Sequence, residues 1–310
     1  MLHLAPLHGV TNRVFRIAFF RHFPGFDAAV APFIPSVNAA SVSDTHFRDL
    51  LPPANAGIPL IPQILGNDAD FFVATVKTLK DYGYDEVNWN LGCPYPMVAN
   101  KKRGSGLLPF PDLIERFLDV ACARTALPIS VKVRLGRTDA RELFRLMPIF
   151  NAFPLKRVVI HPRIGTQMYG GEVDLDGFSE AASLSNHPVM YNGDIKDAET
   201  FASLRSRFPS IQQWMIGRWA LSDPFLASEL KGLTPPADPA ASIRAFHDEL
   251  YEAYREVLFG PKHVLDKMKE VWSFLGGAFP GFARHFKDIS KSKTLEAYGY
   301  AVAALFEEGT

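Results

Sequence analysis

Through the first three quarters of the chain, short apolar runs alternate with longer stretches whose apolar positions recur at helical spacing. Strands are expected over residues 2–7, 28–33, 59–66, 86–90, 128–134, 157–161, 188–192 and 212–217. These runs are mostly apolar on both faces, as parallel strands covered by helices are. Helices are expected over 12–23, 69–82, 112–124, 141–151, 197–208 and 223–231. Thr11 reads as the N-cap of the first and Ser222 of the last, each offering a side-chain oxygen to the opening turn. Eight strand–helix units in about 230 residues match the size and rhythm of an α/β fold, a (β/α)8 TIM barrel.

The pattern changes at 232–239, where three prolines interrupt it. Beyond that point only helical periodicity remains, over 240–259, 262–275, 280–290 and 294–307, which reads as a small helical bundle. The expected organisation is a barrel over 1–232, a linker over 233–239 and a helical domain over 240–310. Neither a solenoid-length repeat nor a low-complexity tract is present.

Composition narrows the class. The chain has 310 residues with zero net charge, so affinity for nucleic acid must come from a local patch rather than a global field. Two cysteines, Cys93 and Cys122, give no disulfide framework and suggest a reducing compartment. No apolar run reaches the roughly 18 residues of a membrane span. The N-terminus enters its first strand without a basic leader, so a cytoplasmic monomer with no membrane contact is expected.

Candidate chemistry centres on 87–108. Asn90-Leu91-Gly92-Cys93-Pro94 places a thiol just past the end of a buried strand, followed by the basic, glycine-rich Lys101-Lys102-Arg103-Gly104. A lone buried cysteine in a turn is the commoner arrangement. In barrels, however, the carboxyl ends of the strands carry the chemistry, and here they carry a set of polar residues. Strand one ends in Pro6-Leu7-His8-Gly9 and strand three in Gln63. Strand five holds Lys132 and Arg134, and strand six ends in His161-Pro162-Arg163. Strands seven and eight end in Asn192-Gly193-Asp194 and Gly217-Arg218. Gln63 could merely satisfy backbone groups, and Asn192-Gly193 is an ordinary turn sequence. Lys132 between valines is harder to explain away, because a buried ammonium is costly without a partner. The two late glycine turns can present N–H groups to a phosphate, with Arg218 adding a charge-assisted bond. A phosphate anchor with a cation beneath a ring fits flavin mononucleotide (FMN). The histidines are scattered, so no metal site is expected.

These residues resemble the tRNA-dihydrouridine synthase family. The likeness runs from Ala5-Pro6 to Gly217-Arg218, through Asn90-Leu91-Gly92-Cys93-Pro94, Lys132-Val133-Arg134, His161-Pro162-Arg163 with Gln167 and Tyr169, and Asn192-Gly193-Asp194. The resemblance implies an FMN-dependent oxidoreductase that reduces the carbon 5–carbon 6 bond of a uridine in tRNA. NADPH would be the reductant and Cys93 the proton donor. Pro6, Leu7, His8, Gln63, Lys132, His161, Asn192, Gly193, Asp194, Gly217 and Arg218 would contact FMN. Asn90 and Arg163 would line the uracil pocket, with Lys101 and Arg103 near the RNA. The chain departs from the family pattern at Leu7-His8, where methionine and a small residue are usual, and at Pro162, where glycine is usual.

Two rival readings remain open from the residues alone: an FMN barrel acting on a small pyrimidine, and a non-catalytic RNA-binding protein. The helical tail argues against the first, and intact Cys93, Lys132 and His161 against the second. Basic residues between 260 and 293, including Lys262, Lys267, Lys269, Lys287 and Lys291, are expected to track phosphates. Cys122 is expected in the core, on a helix face with Ile114, Phe117, Leu118 and Ala121.

Overall fold

The structure, a computed structural model, describes residues 1–38, 43–55, 57–279 and 282–308. Ten strand segments are described: β1 (Leu2–Leu4), β2 (Ala28–Val30), β3 (Ile34–Pro35), β4 (Leu60–Ile61), β5 (Gln63–Leu65), β6 (Val87–Leu91), β7 (Ile129–Gly136), β8 (Val158–Ile164), β9 (Val189–Asn192) and β10 (Gln213–Ile216). Every described pairing is parallel, and β1 lies between β10 and β2. β2 pairs with β4 while β3 pairs with β5, so the second and third barrel strands are each split in two. Pro62 causes one of these breaks, since it has no N–H to give to the ladder. Its carbonyl still accepts from the Asn88 N–H at 2.8 Å, which joins the third strand to β6. The ring therefore closes as a (β/α)8 barrel.

Side chains from alternate positions fill the interior. Ala5, Val30, Val159, Met190 and Met215 form one buried cluster, with Ile61 packed against it. On β6 and β7 the inward alternates are polar instead: Asn88 and Asn90, then Ser130, Lys132 and Arg134. The expectation of strands apolar on both faces fails on these two strands. The outward alternates, Val87, Trp89, Leu91, Val131 and Val133, are all fully buried.

Compact packing divides the chain into two units. The first comprises residues 1–6, 27–194 and 203–216 and contains every strand; the second comprises 7–26, 195–202 and 217–310. Within the second, the helix Arg13–His22 packs on the helix Pro239–Val257. Phe15, Phe19 and Phe23 surround Phe246 there, with ring centroids 5.0–6.1 Å apart. The Tyr254 hydroxyl also donates to Asn12 at 3.1 Å.

Two capping expectations are corrected. The N-cap of the helix Arg13–His22 is Asn12, whose Oδ1 accepts from the Phe15 N–H; Thr11 Oγ1 instead accepts from the Leu7 N–H at 2.9 Å. Ser222 ends the helix Arg218–Ser222 rather than opening the next, which begins at Leu226. Cys122 is half-buried beside its core neighbours, rather than inside the core. The helix expected over 280–290 is observed as Phe282–Lys291, and residues 280–281 lie outside the described ones. No described helix is long and apolar enough to cross a membrane.

Candidate active site

Cross-strand register builds the site from the strands upward. Gln63 stands opposite Asn88, Asn88 opposite Ser130, and Asn90 opposite Lys132. This alignment lets four buried side chains form one hydrogen-bonded chain. Ser130 Oγ donates to the Val87 carbonyl at 3.2 Å and accepts from Asn88 Nδ2 at 3.0 Å. Asn88 Oδ1 accepts from Gln63 Nε2 at 2.8 Å, and Gln63 Oε1 accepts from Asn90 Nδ2 at 2.7 Å. Asn90 Oδ1 then accepts the N–H groups of Gly92 (3.0 Å) and Cys93 (2.9 Å). The backbone carrying the thiol is thus tied, through three amides and a hydroxyl, to the middle of the barrel.

The other side of the Cys93 loop is packed just as closely. The Cys93 carbonyl accepts from both the backbone N–H and the hydroxyl of Ser105, each at 3.0 Å. Gly104 has φ +55°, and a Cβ there would lie 2.7 Å from the Cys93 carbonyl oxygen. Arg134 Nε donates to the Gly92 carbonyl at 3.1 Å, and Arg137 donates to that of Pro94 at 3.0 Å. Arg134 also spans to the Ile164 carbonyl and lies over the Tyr169 ring, 5.3 Å from its centroid. A register shift between β7 and β8 follows Arg134, where an irregularity of this kind can re-aim a side chain. Tyr95 and Tyr169, with ring centroids 6.3 Å apart, are both exposed beside the loop. Lys102 and Met168 hold left-handed backbone conformations in the loops on either side, the kind of strain that gathers at working sites.

Burial dominates the electrostatics. It pushes the Cys93 thiol up from its ordinary value, and the Tyr95 N–H, Arg134 and Lys132 only partly oppose it. The thiol is therefore protonated at neutral pH. Burial, reinforced by Arg134, brings Lys132 down to about 7. Among the described residues the Lys132 ammonium makes no hydrogen bond or ion pair. Arg134 falls to about 10, again chiefly through burial, and Tyr169 rises to about 12 for the same reason.

The remaining expected residues fall into distinct places. Arg163, 2% exposed, gives its guanidinium to Asp194 and to the Gly170 and Gly171 carbonyls, with His161 Nε2 at 3.1 Å. Asp194 is thereby ion-paired. Asn192 Nδ2 donates to the Met215 carbonyl at 3.0 Å, and a Cβ on Gly193 would strike the Tyr191 ring. Lys101 is exposed, while Arg103 donates to Asn67 at 3.2 Å. Pro6 belongs to the barrel unit; Leu7, His8, Gly217 and Arg218 belong to the other compact unit. Asn88, Ser130, Ser105 and Arg137 were not anticipated from the sequence. In the helical unit Lys262, Lys287 and Lys291 are exposed, but Lys267 is bonded to Glu270 and the Gly9 carbonyl, and Lys269 to the Ser292 carbonyl.

Comparison with known proteins places this arrangement. A sequence profile of the family described as Dihydrouridine synthase (Dus) matches residues 3–298. The chain is 28% identical to tRNA-dihydrouridine synthase B of Vibrio vulnificus (strain CMCP6) over 283 residues, 87% of this chain and 86% of that protein. It is 30% identical to tRNA-dihydrouridine(16) synthase of Cupriavidus necator over 244 residues, 75% and 74% of the two chains. Among solved structures, morphinone reductase aligns with TM-score 0.53 at 12% identity, covering 78% of this chain and 88% of that one. The 2-naphthoyl-CoA reductase complex aligns with TM-score 0.58 at 11% identity, covering 75% and 50%. At such identities these two attest the barrel fold alone. With the profile spanning nearly its whole length, the chain belongs to the dihydrouridine synthase family, flavin-dependent oxidoreductases that make dihydrouridine in tRNA.

Proposed function

We propose that this enzyme uses FMN and NADPH, with Cys93 as the acid that protonates carbon 5 of the target uracil. The observation that carries the reading is a buried, protonated thiol held at the strand ends by an amide chain. The donor set beside it suits a planar ring with carbonyl oxygens. Lys132 offers an ammonium without a hydrogen-bonding partner, and Gln63 and Asn90 each keep one N–H uncommitted among the described residues. Within the barrel unit, FMN would be held by Pro6, Gln63, Lys132, His161, Asn192 and Gly193. Since its carboxylate is engaged by Arg163, Asp194 would contribute through its backbone. Bound there, the flavin supplies hydride to carbon 6 of the uracil after reduction by NADPH.

The protein's own groups do the rest. Uracil must leave the RNA stack to be reached, and the exposed Tyr95 and Tyr169 rings offer surfaces on which extruded RNA bases stack. Negative charge growing on the ring carbonyls is met by Asn90 and by the Arg134 cation. Cys93, kept protonated by burial, gives up its proton as that charge develops. Arg163 acts by holding His161 and the 165–171 loop in place. Lys101, Arg103, Lys262, Lys287 and Lys291 would meet RNA phosphates.

The test is incubation of purified protein with FMN, NADPH and an unmodified tRNA transcript, read by mass spectrometry of nucleosides. Dihydrouridine should appear in the tRNA. Reduction of free pyrimidines with no product in tRNA would overturn the reading in favour of a small-molecule reductase.

A further inference from the structure

Each amide in the buried chain can point either way, and reversing one exchanges a donor for an acceptor. Here both ends are fixed. At the upper end, the Gly92 and Cys93 backbone groups are donors only, so Asn90 must turn its carbonyl oxygen to them and its NH2 to Gln63. At the lower end, the Val87 carbonyl is an acceptor only, which commits the Ser130 hydrogen and leaves Ser130 Oγ to accept from Asn88 Nδ2. Asn88 then has only its oxygen for Gln63. The consequence reaches the ligand side: Gln63 and Asn90 have their carbonyl oxygens engaged within the chain, and each has one N–H left to give.

Resting on the functional reading above, we propose that Ser130 is a positioning residue that anchors this chain from below, in the polarity that the Gly92 and Cys93 N–H groups impose from above. Through Asn88 it holds Gln63 and Asn90 in place as donors toward a ring whose carbonyl oxygens gain negative charge, and it steadies the Cys93 backbone. Ser130 lies about one residue pair below the reacting level and touches neither ring. Its influence passes entirely through Asn88. Lining of this polarity favours ligands with carbonyl oxygens over amine-bearing pyrimidines, so it also selects uracil against cytosine.

Without the hydroxyl, Asn88 Nδ2 loses its acceptor, and the chain is held from its upper end alone. Leaving one buried polar group unsatisfied corresponds to roughly a tenfold loss or more. Three full-length variants test this: Ser130→Ala, Ser130→Thr, and Ser130→Ala combined with Asn90→Ala. The first readout is hydrogen exchange of the 90–96 backbone in the protein without ligands. Ser130→Ala should exchange about tenfold faster at the Cys93 amide, and Ser130→Thr should restore protection. The second is oxidation of the NADPH-reduced enzyme by tRNA. Ser130→Ala should slow it about tenfold in the wild-type background and leave it unchanged in the Asn90→Ala background. Equal losses in both backgrounds, or wild-type exchange in Ser130→Ala, would overturn the proposal. If wild-type enzyme fails to transfer electrons to tRNA, the functional reading falls, while hydrogen exchange still judges the chain.

Discussion

Replacing Lys132 by methionine should make the ligand-free protein more stable and the enzyme worse. Among the described residues Lys132 has no hydrogen-bonding partner in the interior, and burial brings it from 10.5 to about 7. At about 1.4 kcal/mol for each tenfold change in proton affinity, that drop corresponds to about 5 kcal/mol of strain carried by the protonated form. The side chain keeps partial solvent contact, which trims the figure, and about 2–3 kcal/mol is a reasonable expectation. Because the folded-state value is the lower one, the unfolded chain holds more protons between pH 7 and 10.5, and stability rises with pH across that window. The cost is therefore complete below pH 7 and gone above about 10.5. Methionine has similar length and no charge. At pH 7, Lys132→Met should raise the melting temperature of flavin-free protein by roughly 4–8 °C, and the gain should shrink steadily toward pH 10. On the proposed role of Lys132, the same change would remove a charge-assisted bond to the flavin and should weaken FMN binding by about 1.5–3 kcal/mol. Differential scanning calorimetry across pH and fluorescence titration with FMN measure the two effects. A variant no more stable than wild type at pH 7, or one that binds FMN normally, would refute the assignment of Lys132 as a cation kept ready for a ligand.

Cys93→Ala should retain FMN and accept electrons from NADPH at the normal rate, yet pass them to tRNA ~100- to 10,000-fold more slowly by stopped-flow; a normal second half-reaction would acquit the thiol. With its pKa raised by burial, Cys93 should also resist alkylation at pH 8 relative to a free thiol. His3, 1% exposed with Nδ1 3.3 Å from Met190 Sδ, is lowered to about 4 by burial and then by Arg157. The unfolded chain takes up the proton first, so stability should fall by about 3 kcal/mol between pH 6.5 and 4, and urea titrations of His3→Gln should show that much less acid sensitivity. Arg163→Leu removes the ion pair to Asp194 and frees the 165–171 loop, and should cost about 3–5 kcal/mol in urea unfolding; a loss below 1 kcal/mol would show that the pair is solvated.

The barrel was legible because strand and helix periodicities alternate regularly, and the rim residues because a lysine or asparagine at the end of an apolar run stands out. Details that depend on cross-strand register were not legible. Asn88 and Ser130 sit inside runs that read as apolar, and only the alignment of β5, β6 and β7 turns them into neighbours. The break at Pro62 was hidden for a related reason: its carbonyl carries the ladder on, so one strand in sequence is two in the sheet. Thr11 and Asn12 are equally good caps by residue type. The choice fell to Asn12 because Thr11 is occupied with the Leu7 turn. Arg163 was read as lining the uracil pocket, since sequence gives no sign that Asp194 and two glycine carbonyls would engage it.

The division of the barrel interior explains why such a site can exist here. On the strands from β8 around to β2, Ala5, Val30, Val159, Met190 and Met215 give the interior an apolar cluster, with His3 buried against Met190. Gln63, Asn88, Asn90, Ser130, Lys132 and Arg134 make the lining of β5, β6 and β7 polar. A polar group scattered alone among apolar neighbours would carry its full desolvation penalty. Gathered on three adjacent strands, the amides satisfy one another, so the penalty among the described residues is confined to a few leftover donors: one N–H on each of Asn88, Gln63 and Asn90, and the Lys132 ammonium. In the proposed reaction, the interactions of Gln63, Asn90 and Lys132 would strengthen as carbonyl oxygens gain charge, and stabilisation that grows toward the transition state is what accelerates a reaction. The same gathering places the thiol at the end of the polar strands, where Asn90 fixes its backbone and burial keeps its proton. In the proposed reaction, a single set of hydrogen bonds running from Ser130 to Cys93 would serve both the donors facing the rings and the thiol.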